Sequence, residues 1–355
     1  MSDVAIGEAP GRVNLLGEHT DYHEGFVLPT LIPQRTRVQA TRRDDRRVRA
    51  FSRTLNTVED YEVGHEHGGR GWLDYIQGVT AMLARAGHVV PGFDLEIEST
   101  VPVGAGVSSS AALTVGLLRS LRLLLALDLD DANLAKLAQT VETEFVGAPV
   151  GIMDQMAVSV GREGQALFLD TRTLNYETLL LPHEIELAVI DSGVRHQHAG
   201  GGYVTRRQES FAAAARLGVR VLRDIDIADL PRLAALPPLL ARRARHVITE
   251  NHRVRAAAKS LRRGDASALG PLFADSHASM RDDYEVSTPD VDALVAIAHS
   301  HPAMVAARMT GGGFGGAVVM VARAGTAAAA AREICAEYRR DRQQPAAVLM
   351  PIGSP

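Results

Sequence analysis

Residues 101–113 read VPVGAGVSSSAAL: a short apolar run, two glycines separated by one residue, three serines, and the start of a longer apolar stretch. That stretch continues as AALTVGLLRSLRLLLAL, and its pattern predicts a helix beginning near Ser108. Glycine lets a backbone approach a ligand closely. A helix start leaves N–H groups without partners and carries partial positive charge. Strand, glycine turn and helix start together make an anion site suited to phosphates. The simpler reading is a serine N-cap after a glycine turn. Three consecutive serines followed by two alanines favour the phosphate reading.

A phosphate site here has to work without lysine. Of the 38 basic residues only Lys136 and Lys259 are lysines. Neither follows a glycine loop, which excludes a Walker-A lysine and a protein-kinase lysine by inspection. Backbone amides, a metal ion and arginine are the remaining means. The net charge of −4 and pI near 6.4 oppose a dedicated nucleic-acid binder.

The 355 residues predict two domains. Hydrophobic residues at 46% and charged residues at 23% are ordinary for a globular chain. No apolar stretch is long enough for a membrane span. The N-terminus lacks the basic and apolar regions of a signal peptide. The single cysteine, Cys335, can form neither an internal disulfide nor a cysteine cluster. These readings point to the cytoplasm.

Outward from 101–113, strand-like runs occupy 4–9, 36–43, 48–52 and 93–100. In the last of these Phe93, Leu95 and Ile97 alternate with Asp94, Glu96 and Glu98, as a strand with one solvated face requires. Helices are expected over 72–85 and 131–145. Arg42–Arg47 reads RRDDRR and is expected to be a solvated hairpin turn, its aspartates offsetting its arginines. Beyond a buried strand at 185–193 come Ala/Arg-rich helical stretches at 203–217, 241–262, 266–283 and 290–300. Strands at 303–309 and 317–322, a helix at 325–340 and a strand near 346–350 follow. The expected division is 1–182 and 183–355; periodicity by itself gives mixed α/β.

Three more segments carry chemistry. APGRVNLLGEHTDYHEG at 9–25 offers Arg12, Glu18, His19 and Asp21 beside glycines. Such a group suits a pocket that hydrogen-bonds the hydroxyls of a polyol. The same Glu18, His19 and Asp21 could hold a metal, although no second His/Cys cluster supports zinc. In VETEFVGAPVGIMDQMAVSVG at 141–161, Asp154 follows Gly151 at the start of a short helix, where an acid can orient a hydroxyl or merely cap. Glu142 could hold Mg²⁺ with a serine hydroxyl. MTGGGFGGAVVMV at 309–321 is either a tight hairpin or a loop that closes over phosphate or packs on the other glycine loop.

These four segments, in this order, resemble the GHMP kinase superfamily and, within it, the galactokinase family. GRVNLLGEHTDY at 11–22, VGAGVSSSAA, GIMDQ at 151–155, TGGGFGG at 310–316 and DSGVRHQHAGGGYVTRRQE at 191–209 carry the likeness over nearly the whole chain. The resemblance implies an α/β (α+β) fold: an N-terminal mixed sheet domain, a C-terminal ferredoxin-like α+β domain, and ATP and sugar in the cleft between them. It implies transfer of phosphate from Mg-ATP to the anomeric hydroxyl of D-galactose. Asp154 would face that hydroxyl, with Arg12 paired to it and on the transferring phosphoryl group. Glu18, His19, Asp21, Gly151 and Tyr203 would bind galactose. Gly104, Ala105, Gly106, Val107, Ser108, Ser109, Ser110 and Ala111 would cradle the ATP phosphates, and Trp72 and Tyr75 would line the adenine. Ser110 and Glu142 would hold Mg²⁺.

Departures from the usual pattern are Val107 for leucine, Val150 for cysteine, His23-Glu24 for the usual Asn-Gly region, and a short chain; none removes a chemical group. A kinase for N-acetylgalactosamine or arabinose, a mevalonate- or homoserine-type kinase, and a non-catalytic sugar sensor are the competing readings. The intact Ser108–Ala112 stretch and Asp154 favour an enzyme. No nucleic acid or membrane partner is expected, and a monomer is expected, with an oligomer left open.

Overall fold

The computed structural model describes residues 3–195 and 199–351. The chain begins with β1 (Val4–Asn14), β2 (Phe26–Val27), β3 (Pro29–Arg42), β4 (Arg47–Ser52) and β5 (Thr57–Glu62). Next come α1 (Leu73–Arg85), β6 (Phe93–Ser99), α2 (Ser109–Leu124), α3 (Asp131–Thr140) and α4 (Met153–Val160). Then follow β7 (Gln165–Asp170), β8 (Tyr176–Leu180), β9 (Ile185–Asp191), α5 (Ala199–Arg216), α6 (Pro238–Leu261) and α7 (Leu269–Asp282). The last elements are α8 (Pro289–Ser300), β10 (Met304–Thr310), β11 (Ala317–Arg323), α9 (Ala327–Arg342) and β12 (Ala347–Met350).

Two compact units result, and neither is a continuous stretch. The first holds the chain up to Arg12, Ile32–Pro102 and Ser108–Gly161. The second holds Val13–Leu31, Val103–Val107 and the chain from Arg162 onward. The division expected at 182/183 therefore falls inside the second unit, between β8 and β9. Early residues join the second unit through specific bonds: Phe26 and Val27 pair with Asp170 and Leu169, and the Asn14 N–H donates to the Thr310 hydroxyl at 2.8 Å.

In the first unit β3, β6, β4 and β5 lie in that order. β3 and β6 run antiparallel, Thr36 opposite Ser99 and Arg42 opposite Phe93; β4 runs parallel to β6. Phe93, Leu95 and Ile97 are buried, as the alternation predicts, because a pleated strand turns every second side chain inward. Strand β6 thus separates β3 from β4, so Arg42–Arg47 is no hairpin turn. A crossover places β4 beside β6, and no local pattern in 42–47 encodes it. The cluster is solvated as expected, with Arg43 pairing both Asp45 and Asp94. The predicted helix over 131–145 ends at Thr140 and continues as one wide turn over Val141–Phe145. Gly78 of α1 has no side chain because a Cβ would stand 2.7 Å from Val141 Cγ1.

In the second unit β9, β10, β11 and β12 form an antiparallel sheet in the order β10-β11-β9-β12. With the helices inserted after β9 and β11 this is the β-α-β-β-α-β arrangement of a ferredoxin-like unit. Its core joins Ile190, Val247, Tyr284, Leu294, Val318, Met320 and Ile334. Strands β7 and β8 pair antiparallel in the same unit. The strands β2, β5, β7 and β8 were not anticipated. They are short or half exposed, and their sequences carry little alternation.

Candidate active site

In the first unit the site starts with two side chains from distant parts of the chain. Arg12 leaves β1 and meets Asp154, the second residue of α4. Its Nε and Nη2 both approach Asp154 Oδ1, at 2.7 and 2.6 Å. Arg12 is buried, while the Asp154 side chain keeps 29% exposure, so the carboxylate is held from behind and open in front. The adjacent Gln155 is buried, and its amide Nε2 donates to Glu142 Oε1 at 2.8 Å. The Ser110 hydroxyl donates to Glu142 Oε2 at 3.2 Å. The wide turn at 141–145 places Glu142 there, a known use of such local widening.

Glu142 has no arginine of its own among its hydrogen-bond partners. Burial pushes its carboxyl up to about 7, only partly countered by the Gln155 hydrogen bond, and the nearby Asp154 charge adds to the rise. That chemistry fits Mg²⁺, which is held by one or two protein oxygens plus phosphate rather than by a closed protein cage. No group of three or more His, Cys, Asp or Glu residues that could hold a metal occurs among the described residues. Tyr75 joins the cluster through a hydrogen bond to Ser110, and burial raises its phenol to about 12. Trp72, just ahead of α1, and Tyr75 are both half-buried rather than core. Asp74 orders the approach to that helix by accepting the amides of Gly69 and Arg70 at 2.9 and 3.0 Å.

Helix α2 begins as expected, but Ser108 is not a side-chain cap. Its backbone is left-handed, φ 66°, it makes no side-chain cap bond, and its buried hydroxyl finds no partner. The helix start is therefore not closed off by serine. Gly104 and Gly106 have φ 75° and 71°, which favours glycine. Ala105, Val107 and Ala111 are buried.

The second unit gathers the sugar signature against the late glycine segment. Gly311 and Gly316 lie on the earlier loop: a Cβ on Gly311 would stand 2.8 Å from Gly106 O, and one on Gly316 3.1 Å from Ala105 O. This is a β10–β11 hairpin whose glycines permit packing on the first glycine loop, so the hairpin reading and the loop-packing reading hold together. Glu18 is buried beneath it. Oε1 accepts from the Thr310 hydroxyl and the Gly311 N–H, each at 3.1 Å, and Oε2 accepts from Arg308. A carboxylate offers about four acceptor positions, so one remains on Oε2.

His19 stands with φ 62°. Its Nε2 lies 3.2 Å from Gly312 O, an acceptor, so Nε2 carries the proton. Nδ1 then accepts from the Tyr22 hydroxyl at 2.9 Å, and Tyr22 in turn meets the Tyr284 hydroxyl at 2.7 Å. Burial drives His19 down to about 3, which keeps the ring neutral. The Tyr203 ring packs 5.2 Å from His19, and Asp21 is half-buried in a single helical turn, Asp21–His23. His23 bonds the Ser210 hydroxyl of α5 at 2.8 Å, and Glu24 is paired by Arg172 and Arg220. The two departures after TDY are thus anchored. Of the segment 191–209, His196, Gln197 and His198 lie outside the described residues.

Sequence reasoning missed Gln155 as the orienter of Glu142. It also missed Arg308 and Glu250, buried charges behind the sugar signature. The only local signal for Arg308 is one arginine in an otherwise apolar strand, MVAARMT.

Comparison with known proteins agrees with this picture. The galactokinase galactose-binding signature matches residues 2–42, the N-terminal domain of GHMP kinases 74–162, and their C-terminal domain 257–340. The chain is 44% identical over 324 residues to a galactokinase of Roseiflexus sp. (strain RS-1), covering 88% of this chain and 82% of that protein. It is 44% identical over 335 residues to a galactokinase of Streptomyces coelicolor, covering 90% and 85%. The crystal structure of Lactococcus lactis galactokinase complexed with galactose superposes with a TM-score of 0.92 at 30% identity, covering 98% of this chain and 92% of that one. Mevalonate kinase of Methanococcus jannaschii shares the fold, with a TM-score of 0.69 at 17% identity, covering 97% and 96%. Among the described residues no helix is long and apolar enough to cross a membrane. The chain belongs to the galactokinase family of the GHMP kinases and is an ATP-dependent sugar kinase.

Proposed function

We propose that this protein transfers the terminal phosphoryl group of Mg-ATP to the anomeric hydroxyl of D-galactose, giving galactose 1-phosphate. The observation that carries the reading is the Arg12–Asp154 pair: an exposed carboxylate face backed by a buried guanidinium. Phosphoryl transfer asks little covalent chemistry of a protein, so positioning and charge stabilisation dominate. Asp154 orients the sugar hydroxyl and takes its proton as the oxygen bonds the terminal phosphorus and the bond from that phosphorus to the bridging oxygen breaks, releasing ADP. Arg12 holds that carboxylate and offers its charge to the transferring group. The start of α2 and the glycine amides of 104–107 supply donors to the phosphates.

Ser110 and Glu142 would hold Mg²⁺, which would supply charge neutralisation to the phosphates. Gln155 keeps the Glu142 carboxylate turned toward Ser110. Trp72 and Tyr75 line the adenine. Glu18, through the open position on Oε2, and Asp21, Gly151 and Tyr203 hydrogen-bond galactose. His19 donates Nε2–H to a sugar oxygen in place of the long bond to Gly312 O. The protein acts in the cytoplasm as a monomer.

The test is ATP consumption with galactose, N-acetylgalactosamine, glucose, arabinose, mevalonate and homoserine in parallel. Galactose turnover far above the rest is expected. Turnover of another sugar instead would reassign the substrate, and turnover of none would make the protein a sensor.

A further inference from the structure

Arg308, the fifth residue of β10, is fully buried. A guanidinium taken out of water is costly unless its donors are satisfied; the Arg308 Nε finds no hydrogen-bond partner, and the two terminal nitrogens carry the contacts. Here Nη1 donates to the carbonyl oxygens of Leu15 and Asn14, at 2.6 and 3.1 Å, and Nη2 donates to the Glu18 carboxylate. Glu250, from α6 and also fully buried, lies 3.9 Å from Nη2. It accepts the Gly17 N–H at 2.9 Å and the Ser276 hydroxyl at 2.8 Å, and pairs with Arg253 at 2.6 Å. Four of the five residues from Asn14 to Glu18 are therefore gripped by two buried charged side chains from separate elements.

The grip extends further. Glu18 Oε1 receives the Thr310 hydroxyl and the Gly311 N–H, so the carboxylate that Arg308 holds also sets the first residues of the glycine segment. Hydrophobic residues of similar volume could fill this space at no loss of stability. They could not aim two carbonyls, one amide and one carboxylate at fixed directions. Lysine is a poor substitute, since its donors all radiate from one nitrogen, whereas arginine spreads them over two nitrogens of a planar fork, one on the carbonyls and one on the carboxylate.

We propose that Arg308 and Glu250 are positioning residues for sugar recognition: without touching the sugar, they fix the backbone at 14–18 and couple it to the start of the 311–316 glycine segment. This rests on the reading that the 18–21 region binds the sugar. The full chain is tested as wild type, Arg308→Lys and Glu250→Gln. Galactose and ATP are varied separately, and amide hydrogen exchange is read on each protein without ligand. Each variant should melt cooperatively and raise the KM for galactose by about tenfold to about a hundredfold, the cost of misplacing a positioned group by about an ångström. KM for ATP should stay within about twofold. Exchange should quicken at Gly17, Glu18 and Gly311 and not along α2.

Equal losses on both substrates, or exchange raised throughout, would mean a general structural role and overturn the proposal. An unchanged galactose KM in a folded variant would overturn it too. If Arg308→Lys does not fold, Glu250→Gln decides by the same criteria, because its amide oxygen can still accept the Gly17 N–H. Wild-type galactose turnover is measured first. Its absence sinks the sugar reading and this proposal together, whereas normal wild-type turnover with unmoved variants sinks the positioning role alone.

Discussion

Two buried carboxylates in this molecule are treated in opposite ways. Glu18, in the second unit, is met by Arg308, a threonine hydroxyl and a backbone amide. Glu142, in the first unit, accepts hydrogen bonds from a serine and a glutamine among the described residues, with the Arg12 charge acting on it without a hydrogen bond. Burial raises both carboxyls. Around Glu18 the protein supplies its own cation, as it does for Glu250, which Arg253 and Arg308 help pull down to about 2 against the cost of burial. Around Glu142 it supplies neutral donors and leaves the charge to be compensated by something else. A buried acid with a built-in arginine is held in one orientation by the protein's own charge. A buried acid without one keeps most of the cost of its burial.

The largest expected effect falls on the charge that neither carboxylate can replace. Asp154→Asn should lower kcat by at least ~10²-fold, the low end of general-base effects. A variant within a few-fold of wild type would remove Asp154 from the chemistry. Next comes the cation seat. Glu142→Gln should raise the Mg²⁺ concentration for half-maximal rate by at least ~10-fold, since even outer-shell changes cost about 10–100-fold in metal affinity. A magnesium titration with unchanged half-saturation would break the contrast between the two acids.

Smaller still, Asp21→Ala should raise KM for galactose by about tenfold, the loss of one charge-assisted hydrogen bond. KM for ATP should hardly move, and equal damage to both would argue against a sugar-side role.

The smallest effect sharpens the comparison through pH. The folded state keeps a proton on Glu142 up to about 7, while the unfolded chain releases it near 4.5. Between those values the folded state binds more protons, so this group's contribution to stability falls as pH rises from about 4.5 through about 7. His19, His23 and His246, lowered to about 3, 3 and 4, act the other way, adding stability as pH rises toward 6.5. The readout is therefore a difference: the melting temperature of metal-free wild type minus that of Glu142→Gln should fall between pH 5 and pH 8. A flat difference would place the Glu142 carboxyl in an ordinary environment.

The first glycine loop, helix α2, strand β6 and the ferredoxin-like run from β9 to β12 were all legible from periodicity, glycine placement or resemblance. Arg12, Glu142 and Asp154 were identified as candidates before any geometry was known. Their partners were less legible. Gln155 is one more polar helix residue until its amide is seen on Glu142. Ser108 looks like an N-cap, yet its left-handed backbone carries the hydroxyl away from that task. The run 42–47 looks like a hairpin turn because strand order is set by long-range pairing, and nothing in those six residues records that β6 inserts beside them.

The sequence by itself determined which atoms are available: glycine segments with no lysine beside them, glycines where backbone must come close, and acids at two helix positions. Those properties are local, since residue type and spacing fix donors, acceptors and backbone freedom. Only the tertiary structure decided which acid is paired with a buried arginine and which is met by neutral hydrogen-bond donors. That choice depends on what is packed against each carboxylate, and Arg308 is separated from Glu18 by nearly the whole chain.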